Sequence, residues 1–202
     1  MKHSSNTRSP RRIGIFGGTF DPPHIGHLLI AENAREQFKL DRVFFVPAFI
    51  PPHKVSRRAS PAALRRAMVK LAIAGNARFS LSDIEIQRQG ISYTVDTLKQ
   101  FQSNYPAAEL VLILGGDSLK ELSTWKEPEA IGNMAIMAVY SRGPSTRRKA
   151  RRTKKFRVIP IAGPVIDLSS TQIRRRRKRG FSIRYLVVPA VERFIIRHHL
   201  YR

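Results

Sequence analysis

Residues 12–34 read RIGIFGGTFDPPHIGHLLIAENA. The apolar run at 12–16 predicts a buried first strand, because short apolar runs that end in turn residues are typical of strands covered on both faces. The glycines and prolines at 17–23 predict a loop. From His24 onward, apolar residues recur on one side of a helix. A strand that passes through glycines into a helix is the repeating unit of a parallel α/β sheet.

The rest of the chain repeats this alternation. We therefore expect one α/β domain over 12–202, built on a doubly wound, mostly parallel sheet, with ligands at the carboxyl ends of the strands. A basic tail at 1–11 is expected to be disordered, and a basic insertion near 142–157 interrupts the pattern. Further strands are predicted at 41–46, 79–86, 109–114, 134–140 and 156–160, and helices are predicted to begin near Ser60, Ser92, Ser169 and Pro189.

Composition excludes several classes of protein. The chain has 202 residues, of which 42% are hydrophobic and 25% charged, and it has no cysteine. A disulfide framework, a thiol nucleophile and a zinc site built on thiolates are therefore ruled out. No apolar run reaches about 18 residues, so we expect no membrane span. The absence of cysteine fits a reducing cytoplasm, which is the location we expect.

The formal net charge of +23 is concentrated in three blocks. Residues 1–12, 142–157 and 174–179 hold 19 of the 37 basic residues and no acidic one, while the remaining 18 basic residues face all 14 acidic ones. The body of the protein is thus electrostatically ordinary. We expect no recognition helix, aromatic stacking platform or zinc finger beside these blocks. Nonspecific, salt-dependent binding of polyanions is expected as a side property.

The loop after the first strand has the composition of a phosphate site. Gly17 and Gly18 let the backbone approach a phosphate, and the following helix presents free N–H groups to an anion. His24 and His27 lie on one face of the first turn, with Gly26 between them, and together they can hold a phosphate oxygen. The spacing matches neither a G-x-G-x-x-G loop nor a Walker A loop, and two histidines alone are too few for zinc. A purely structural pair of histidines is the alternative.

A second anion site is predicted near the other end of the chain. Ser169, Ser170 and Thr171 place three hydroxyls at a helix start, and Arg174 follows one turn later. Hydroxyl and N–H donors at this position favour an anion. Taken alone, the pattern also fits an ordinary helix cap followed by a solvated charged face.

The two motifs together resemble the signature pair of the H-x-G-H nucleotidyltransferase superfamily. Over about residues 12 to 201 the chain resembles bacterial nicotinate-nucleotide adenylyltransferases, which implies a Rossmann-like nucleotidyltransferase fold. The resemblance also includes PPHK at 51–54, RQGISYTVDTL at 88–98, GGDS at 115–118, Trp125 and YLVVP at 185–189.

The resemblance implies adenylyl transfer from ATP to nicotinate mononucleotide, a step of NAD biosynthesis. Deamido-NAD and pyrophosphate are the implied products, and Mg²⁺ the implied cofactor, held mainly by the ATP phosphates. A phosphate monoester is already a nucleophile near neutral pH, so direct in-line attack needs neither a general base nor a covalent enzyme intermediate. On this interpretation His24 and His27 hold the phosphates, and Lys54 and Arg174 neutralise the triphosphate.

The resemblance also assigns the substrate contacts. Thr94 at a helix start, Trp125 by stacking, and Lys54 would bind nicotinate mononucleotide, although a lone tryptophan is often a core residue. Asp117 would face the ATP ribose or the metal shell, or else cap a turn. Acceptors that the sequence leaves open are phosphopantetheine and nicotinamide mononucleotide. The ATP contacts implied are Gly17, Gly18, Thr19, Phe20, Gly26, Asp117, Ser169, Ser170 and Thr171.

Overall fold

The computed structural model describes residues 11–51, 59–140, 151–152 and 156–202, with only the backbone at 151–152. Strands alternate with helices along these ranges, as the sequence predicts. The strands are β1 (Arg12–Gly18), β2 (Arg42–Pro47), β3 (Phe79–Leu81), β4 (Glu109–Gly115), β5 (Ala135–Tyr140), β6 (Arg151–Arg152) and β7 (Arg157–Pro160). The helices are α1 (Ile25–Gln37), α2 (Ala62–Ile73), α3 (Ile84–Arg88), α4 (Thr94–Asn104), α5 (Gly116–Lys120), α6 (Pro128–Met134), α7 (Ser170–Lys178) and α8 (Pro189–Arg197).

The sheet has the strand order β3-β2-β1-β4-β5-β7-β6. Its first six strands in this order are parallel, and the two-residue β6 pairs antiparallel with β7. Strand order runs one way from β1 to β3 and the other way from β4 onward. Between β1 and β4 the connections therefore leave in opposite directions and open a crevice at the carboxyl ends of both strands, where doubly wound sheets bind ligands.

Both faces of the sheet are buried, and the strands show why. In β2, Val43 and Phe45 pack on one face, and Phe44 and Val46 on the other. Strands β4 and β5 divide their apolar residues in the same way, because side chains alternate across a strand. Helices α1 and α2 cover the first face, and α3, α4 and α6 cover the second. A third cluster packs α7 and α8 against α2.

The strand predicted at 79–86 is partly wrong. Strand β3 ends at Leu81, and α3 begins at Ile84. Asp83 lies between them, accepts two hydrogen bonds from Arg66 at 2.8 and 2.5 Å, and its carbonyl accepts the Gln87 N–H. The Arg66–Asp83 pair holds a turn before α3. The alternation of Ile84 and Ile86 is typical of a strand and does not predict this turn. The helix predicted to begin near Ser60 begins at Ala62, and Pro61 is the residue that precedes it.

Several predictions lie partly or wholly outside the described residues. They concern the basic tail, except for Arg11, most of the insertion near 142–157, and Lys54. Within the described ranges, every helix falls short of the length and apolar character needed to cross a bilayer.

Candidate active site

The crevice between β1 and β4 holds a cavity of about 1300 Å³. Its walls come from the loop after β1, the first turns of α1, α4, α5 and α7, and the segment around Trp125. Residues far apart in sequence therefore meet at one edge of the sheet. The predicted site residues that line this cavity are Gly17, Gly18, Thr19, Phe20, His24, Gly26, His27, Thr94, Asp117, Trp125, Ser169, Ser170, Thr171 and Arg174.

The two histidines form a close pair at the start of α1, with their ring planes tilted by 31°. His24 precedes the helix and is 5% exposed, and the centres of the His24 and His27 rings are 3.6 Å apart. The backbone N–H of His24 donates to Nδ1 of His27 at 3.1 Å. Since Nδ1 accepts this bond, the proton of the neutral His27 ring lies on Nε2. A neutral His27 ring in this position can therefore donate from Nε2.

Aromatic packing fixes the position of His27. The Phe20 ring meets it edge-on with centres 5.1 Å apart, and the Phe16 ring lies 5.9 Å away. Gly26 lies directly beside the His24 ring. A Cβ atom at this position would lie 3.0 Å from Nδ1 of His24 and 3.1 Å from Cγ2 of Ile166. The glycine thus leaves the space that the His24 ring occupies.

The start of α7 faces the same cavity, but its hydroxyls have partners in the protein. Ser169 and Gln172 form a capping box, in which Oγ of Ser169 accepts the Gln172 N–H at 3.2 Å. The Ser170 hydroxyl donates to the Pro22 carbonyl at 2.8 Å. The alternative interpretation of Ser169 as a helix cap is therefore correct for its side chain. Helix geometry leaves the first-turn N–H groups of Ser170 and Thr171 as anion donors.

Arg174 joins α7 to the loop after β1. Its Nη1 donates to the Asp21 carbonyl at 2.8 Å, and its Nη2 lies 3.2 Å from Oγ1 of Thr171. Two motifs about 150 residues apart in sequence are thus in direct contact. The guanidinium is held at the cavity wall with its orientation fixed by two partners.

A buried polar network behind the loop was missed by the sequence analysis. Arg65 is 1% exposed and donates to the carbonyls of Thr19, Phe49 and Ser60 at 2.9, 3.0 and 2.7 Å. Burial lowers the pKa of Arg65, and the nearby Asp21 carboxylate opposes this. A signal was present, because Arg65 shares the buried face of α2 with apolar residues three and four positions later.

Asp21 accepts hydrogen bonds from the C-terminal segment and from the segment before α2. Its carboxylate, 5% exposed as a residue, accepts the Tyr201 hydroxyl at 2.5 Å and the Ser60 N–H at 3.1 Å. Burial, with Asp21 adjacent, raises the pKa of the Tyr201 phenol far above its ordinary value. Tyr201 therefore acts as a neutral donor, and the C-terminal segment helps to fix the loop that carries the histidines. Nothing in the sequence pattern pointed to this contact.

The far end of the cavity is formed by the start of α4. Thr94 is the first residue of this helix, as predicted. The preceding Ser92 donates its N–H to the Ile50 carbonyl at 2.9 Å, and its Oγ accepts the Phe49 N–H at 2.9 Å. Trp125 is half-buried, packs against the core and also lines the cavity. The two interpretations of Trp125 are thus compatible.

Glu85 is a buried carboxyl that the sequence analysis did not select. It lines the cavity, is 6% exposed, and accepts the Thr97 hydroxyl at 2.7 Å. Burial raises the pKa of Glu85, while hydrogen bonds from Thr97 and Ser92 oppose the shift. Because Ser92 precedes the start of α4, Glu85 helps to set the position of that helix start.

Asp117, a candidate for the metal shell, lies on the β4 side of the cavity. Asp117 is exposed and forms an ion pair with Lys120 at 3.2 Å, a type of surface contact that contributes little to stability. Within the described ranges, no group of three or more His, Asp or Glu side chains is placed to hold a metal ion.

Comparisons with known proteins agree with this geometry. The model of the Cytidylyltransferase-like family matches residues 15–176. A protein of Thermus thermophilus named "Probable nicotinate-nucleotide adenylyltransferase" is 46% identical, over 95% of this chain and 100% of its own length. A protein of the same name from Thermomicrobium roseum is 43% identical, over 95% of this chain and 92% of its own. The solved Plasmodium falciparum nicotinic acid mononucleotide adenylyltransferase complexed with NaAD has a TM-score of 0.77 at 20% identity, and covers 95% of this chain and 97% of its own.

Proposed function

Because the chain belongs to the Cytidylyltransferase-like family and, within it, to the nicotinate-nucleotide adenylyltransferases, we propose how its cavity transfers the adenylyl group of ATP to nicotinate mononucleotide. The products are deamido-NAD and pyrophosphate. The observation that carries the proposal is the contact between the two anion-binding motifs, made by Arg174 with the Asp21 carbonyl and by Ser170 with the Pro22 carbonyl. This contact gathers histidine, arginine and helix N–H donors around one space.

The reaction requires positioning more than acid–base chemistry. A phosphate oxygen of nicotinate mononucleotide attacks the α-phosphorus of ATP, a new P–O bond forms, and the bond to pyrophosphate breaks. The attacking phosphate is already ionised near neutral pH, so the protein need not remove a proton. Fixed donors aimed at the charge that develops on the phosphates are the main source of acceleration in such transfers.

We assign these donors to different phosphate groups of the substrates. We assign Nε2 of His27 to a phosphate oxygen, because its Nδ1 is already an acceptor for the His24 N–H. His24 shares the same wall and binds a neighbouring oxygen. Arg174 and the N–H groups at the start of α7 neutralise the triphosphate. Lys54, which lies outside the described residues, remains assigned to phosphate and mononucleotide binding by resemblance.

The start of α4 would select the acceptor. The hydroxyl and N–H of Thr94 are donors at a helix N-terminus, where a carboxylate is favoured. A nicotinate ring has that carboxylate, whereas nicotinamide is neutral. Trp125 lies on the neighbouring wall and offers an aromatic face to the pyridine ring.

Magnesium would enter with ATP and neutralise charge on its phosphates when bound. Mg²⁺ is usually held by one or two carboxylates together with substrate phosphates. Asp117 is an exposed carboxylate on this wall, and we assign it to the metal shell or the ribose. A cytoplasmic location suits an enzyme that uses ATP and nicotinate mononucleotide, and it is part of the proposal.

Pyrophosphate release with three acceptors in parallel tests the proposal. Purified protein with ATP and Mg²⁺ is given nicotinate mononucleotide, nicotinamide mononucleotide or phosphopantetheine. We expect the highest kcat/KM with the first. Turnover with only another acceptor would retain adenylyl transfer and overturn the roles of Thr94 and Trp125.

The stereochemistry at phosphorus tests the direct attack. With ATP that carries one sulfur at the α-phosphorus in a single configuration, one in-line displacement inverts that centre. Inversion is the expected result. Retention would require two displacements and hence a covalent enzyme intermediate, contrary to the mechanism above.

A further inference from the structure

A second groove, of about 540 Å³, lies beside the catalytic cavity. Leu168 lines both, so the two spaces are neighbours across the start of α7. Four exposed arginines line the groove, and a single carboxylate, Asp167, accompanies them. The arginines are Arg175, Arg176, Arg179 and Arg184.

These guanidinium groups have no carboxylate partner. All 14 acidic residues of the chain lie in the described ranges, and among these ranges no ion pair includes a residue of 174–184. Cations in the last turn of a helix interact favourably with its dipole, but this effect is small and fades within one turn. Arg184 lies beyond α7 altogether. Unpaired like charges around one groove repel one another, and an anion relieves that repulsion.

An aromatic ring completes the groove. Phe181 is 56% exposed, and the Arg176 guanidinium carbon lies 5.7 Å from the centre of its ring. Arg176 is itself fixed, because its Nε donates to the Ser182 carbonyl at 3.0 Å. Gly180, with φ +76°, ends the helix so that the Phe181 N–H meets the Arg176 carbonyl at 3.0 Å. These backbone and side-chain contacts therefore hold the Phe181 ring in a solvent-exposed position.

The sequence analysis expects no aromatic stacking platform beside the basic blocks, yet the exposed Phe181 lies beside the block at 174–179. Proteins that bind single strands combine cations along the backbone with an aromatic ring on which a base stacks. A simple phosphate site has no use for an exposed phenylalanine, and the paired bases of a duplex are not free to stack on it. We propose that this groove binds single-stranded nucleic acid, with its phosphates on Arg175, Arg179 and Arg184 and one base on Phe181.

The proposal is separate from adenylyl transfer. Arg174 is turned toward the Asp21 carbonyl, whereas Arg175, Arg176 and Arg179 line the groove instead. Ligands of the two sites should therefore bind at the same time. The groove variants described next change no residue assigned to the reaction.

Fluorescence anisotropy of a labelled RNA of about 12 nucleotides, a length within the range of single-strand site sizes, tests the proposal with the full chain. We expect Arg175→Gln/Arg179→Gln to weaken binding and to lower the salt slope of log K by about 1.4, since each phosphate contact in a single strand contributes about 0.7. Phe181→Ala should weaken binding about tenfold, as loss of one stacked base does. The matched control is Arg42→Gln/Arg78→Gln, which removes two exposed charges at the amino ends of β2 and β3, from residues that do not line the groove. Rates of pyrophosphate release should be unchanged in all three variants.

The competing outcomes are distinct. Equal weakening in the control variant would mean that net charge alone binds RNA, and would overturn the proposal. So would unchanged binding in Phe181→Ala, or a duplex of the same sequence that binds as tightly as the single strand. Displacement of the RNA by saturating ATP would place it in the catalytic cavity instead. If adenylyl transfer itself proved absent, the RNA result would still stand or fall on these comparisons.

Discussion

Replacement of Gly26 by alanine should reduce catalysis without unfolding the protein. The added Cβ would lie 3.0 Å from Nδ1 of His24, whereas ordinary van der Waals contacts of a Cβ atom are 3.4 Å or longer. The His24 ring must therefore move by about 0.4 Å. The other near neighbour, Ile166 at 3.1 Å, limits the room for adjustment of the helix itself. The His24 ring is therefore the group that gives way.

The size of the effect follows from this displacement. A misplacement of about 1 Å costs about 100-fold in rate, so about 0.4 Å corresponds to about sixfold, or about 1 kcal/mol of barrier. Loss of the whole donor in His24→Ala should cost more, about 10²- to 10³-fold. Stability should change little, because alanine in a helix gains about 0.5–1 kcal/mol over glycine and the tight contact offsets that gain.

The assay is steady-state pyrophosphate release, with thermal unfolding measured on the same preparations. Gly75→Ala is the matched control, since a Cβ there meets nothing within 4 Å, and its rate should equal that of the original chain. In the His24→Ala background, Gly26→Ala should have almost no further effect, because the displaced ring is gone. An unchanged rate in the single variant Gly26→Ala, or the same sixfold loss in both backgrounds, would refute the argument.

Three further predictions concern residues around the cavity. Tyr201→Phe removes the hydrogen bond to Asp21 and should lower the free energy of unfolding by about 1–2 kcal/mol in a denaturant titration, whereas Tyr185→Phe, at a residue 85% exposed, should not; equal effects would contradict the role of the bond. Trp125→Ala should raise the KM for nicotinate mononucleotide about tenfold with little change in the KM for ATP, and a rise in both would contradict stacking on the pyridine ring. Burial raises the pKa of Glu85, so its contribution to stability is fully present below about pH 4 and is lost as pH rises through the folded-state pKa. The free energy of unfolding, measured at pH values from about 4 upward, should therefore rise for Glu85→Gln relative to the original chain as pH rises. A difference between the two that does not change with pH would disprove the shift in pKa.

The sheet was largely predictable from the sequence, because its strands are apolar on both faces and end in glycines or turns. Strands β1, β2 and β4 lie within about two residues of their predicted bounds. The error at 79–86 arose because Ile84 and Ile86 alternate as in a strand. Only the tertiary pair between Arg66 and Asp83 reveals the turn before α3.

The walls of the cavity were predictable where chemistry is carried by a local motif. Gly17 to His27 and Ser169 to Arg174 are such motifs, and each contains the types of donor that we propose bind phosphate. The supporting network was not predictable in this way. Tyr201 meets Asp21 across 180 residues, and the partners of a buried polar group depend on the completed fold.

The most direct test of the account is formation of deamido-NAD from nicotinate mononucleotide and ATP labelled at the α-phosphorus, with Mg²⁺ present. The label should appear in deamido-NAD with the original chain, and its appearance should fall by at least about 10²-fold in His24→Ala/His27→Ala of matched thermal stability. Labelled product at the same rate from the double variant would show that the histidine pair does not act on the phosphates. No labelled product from the folded original chain would contradict the proposed reaction itself.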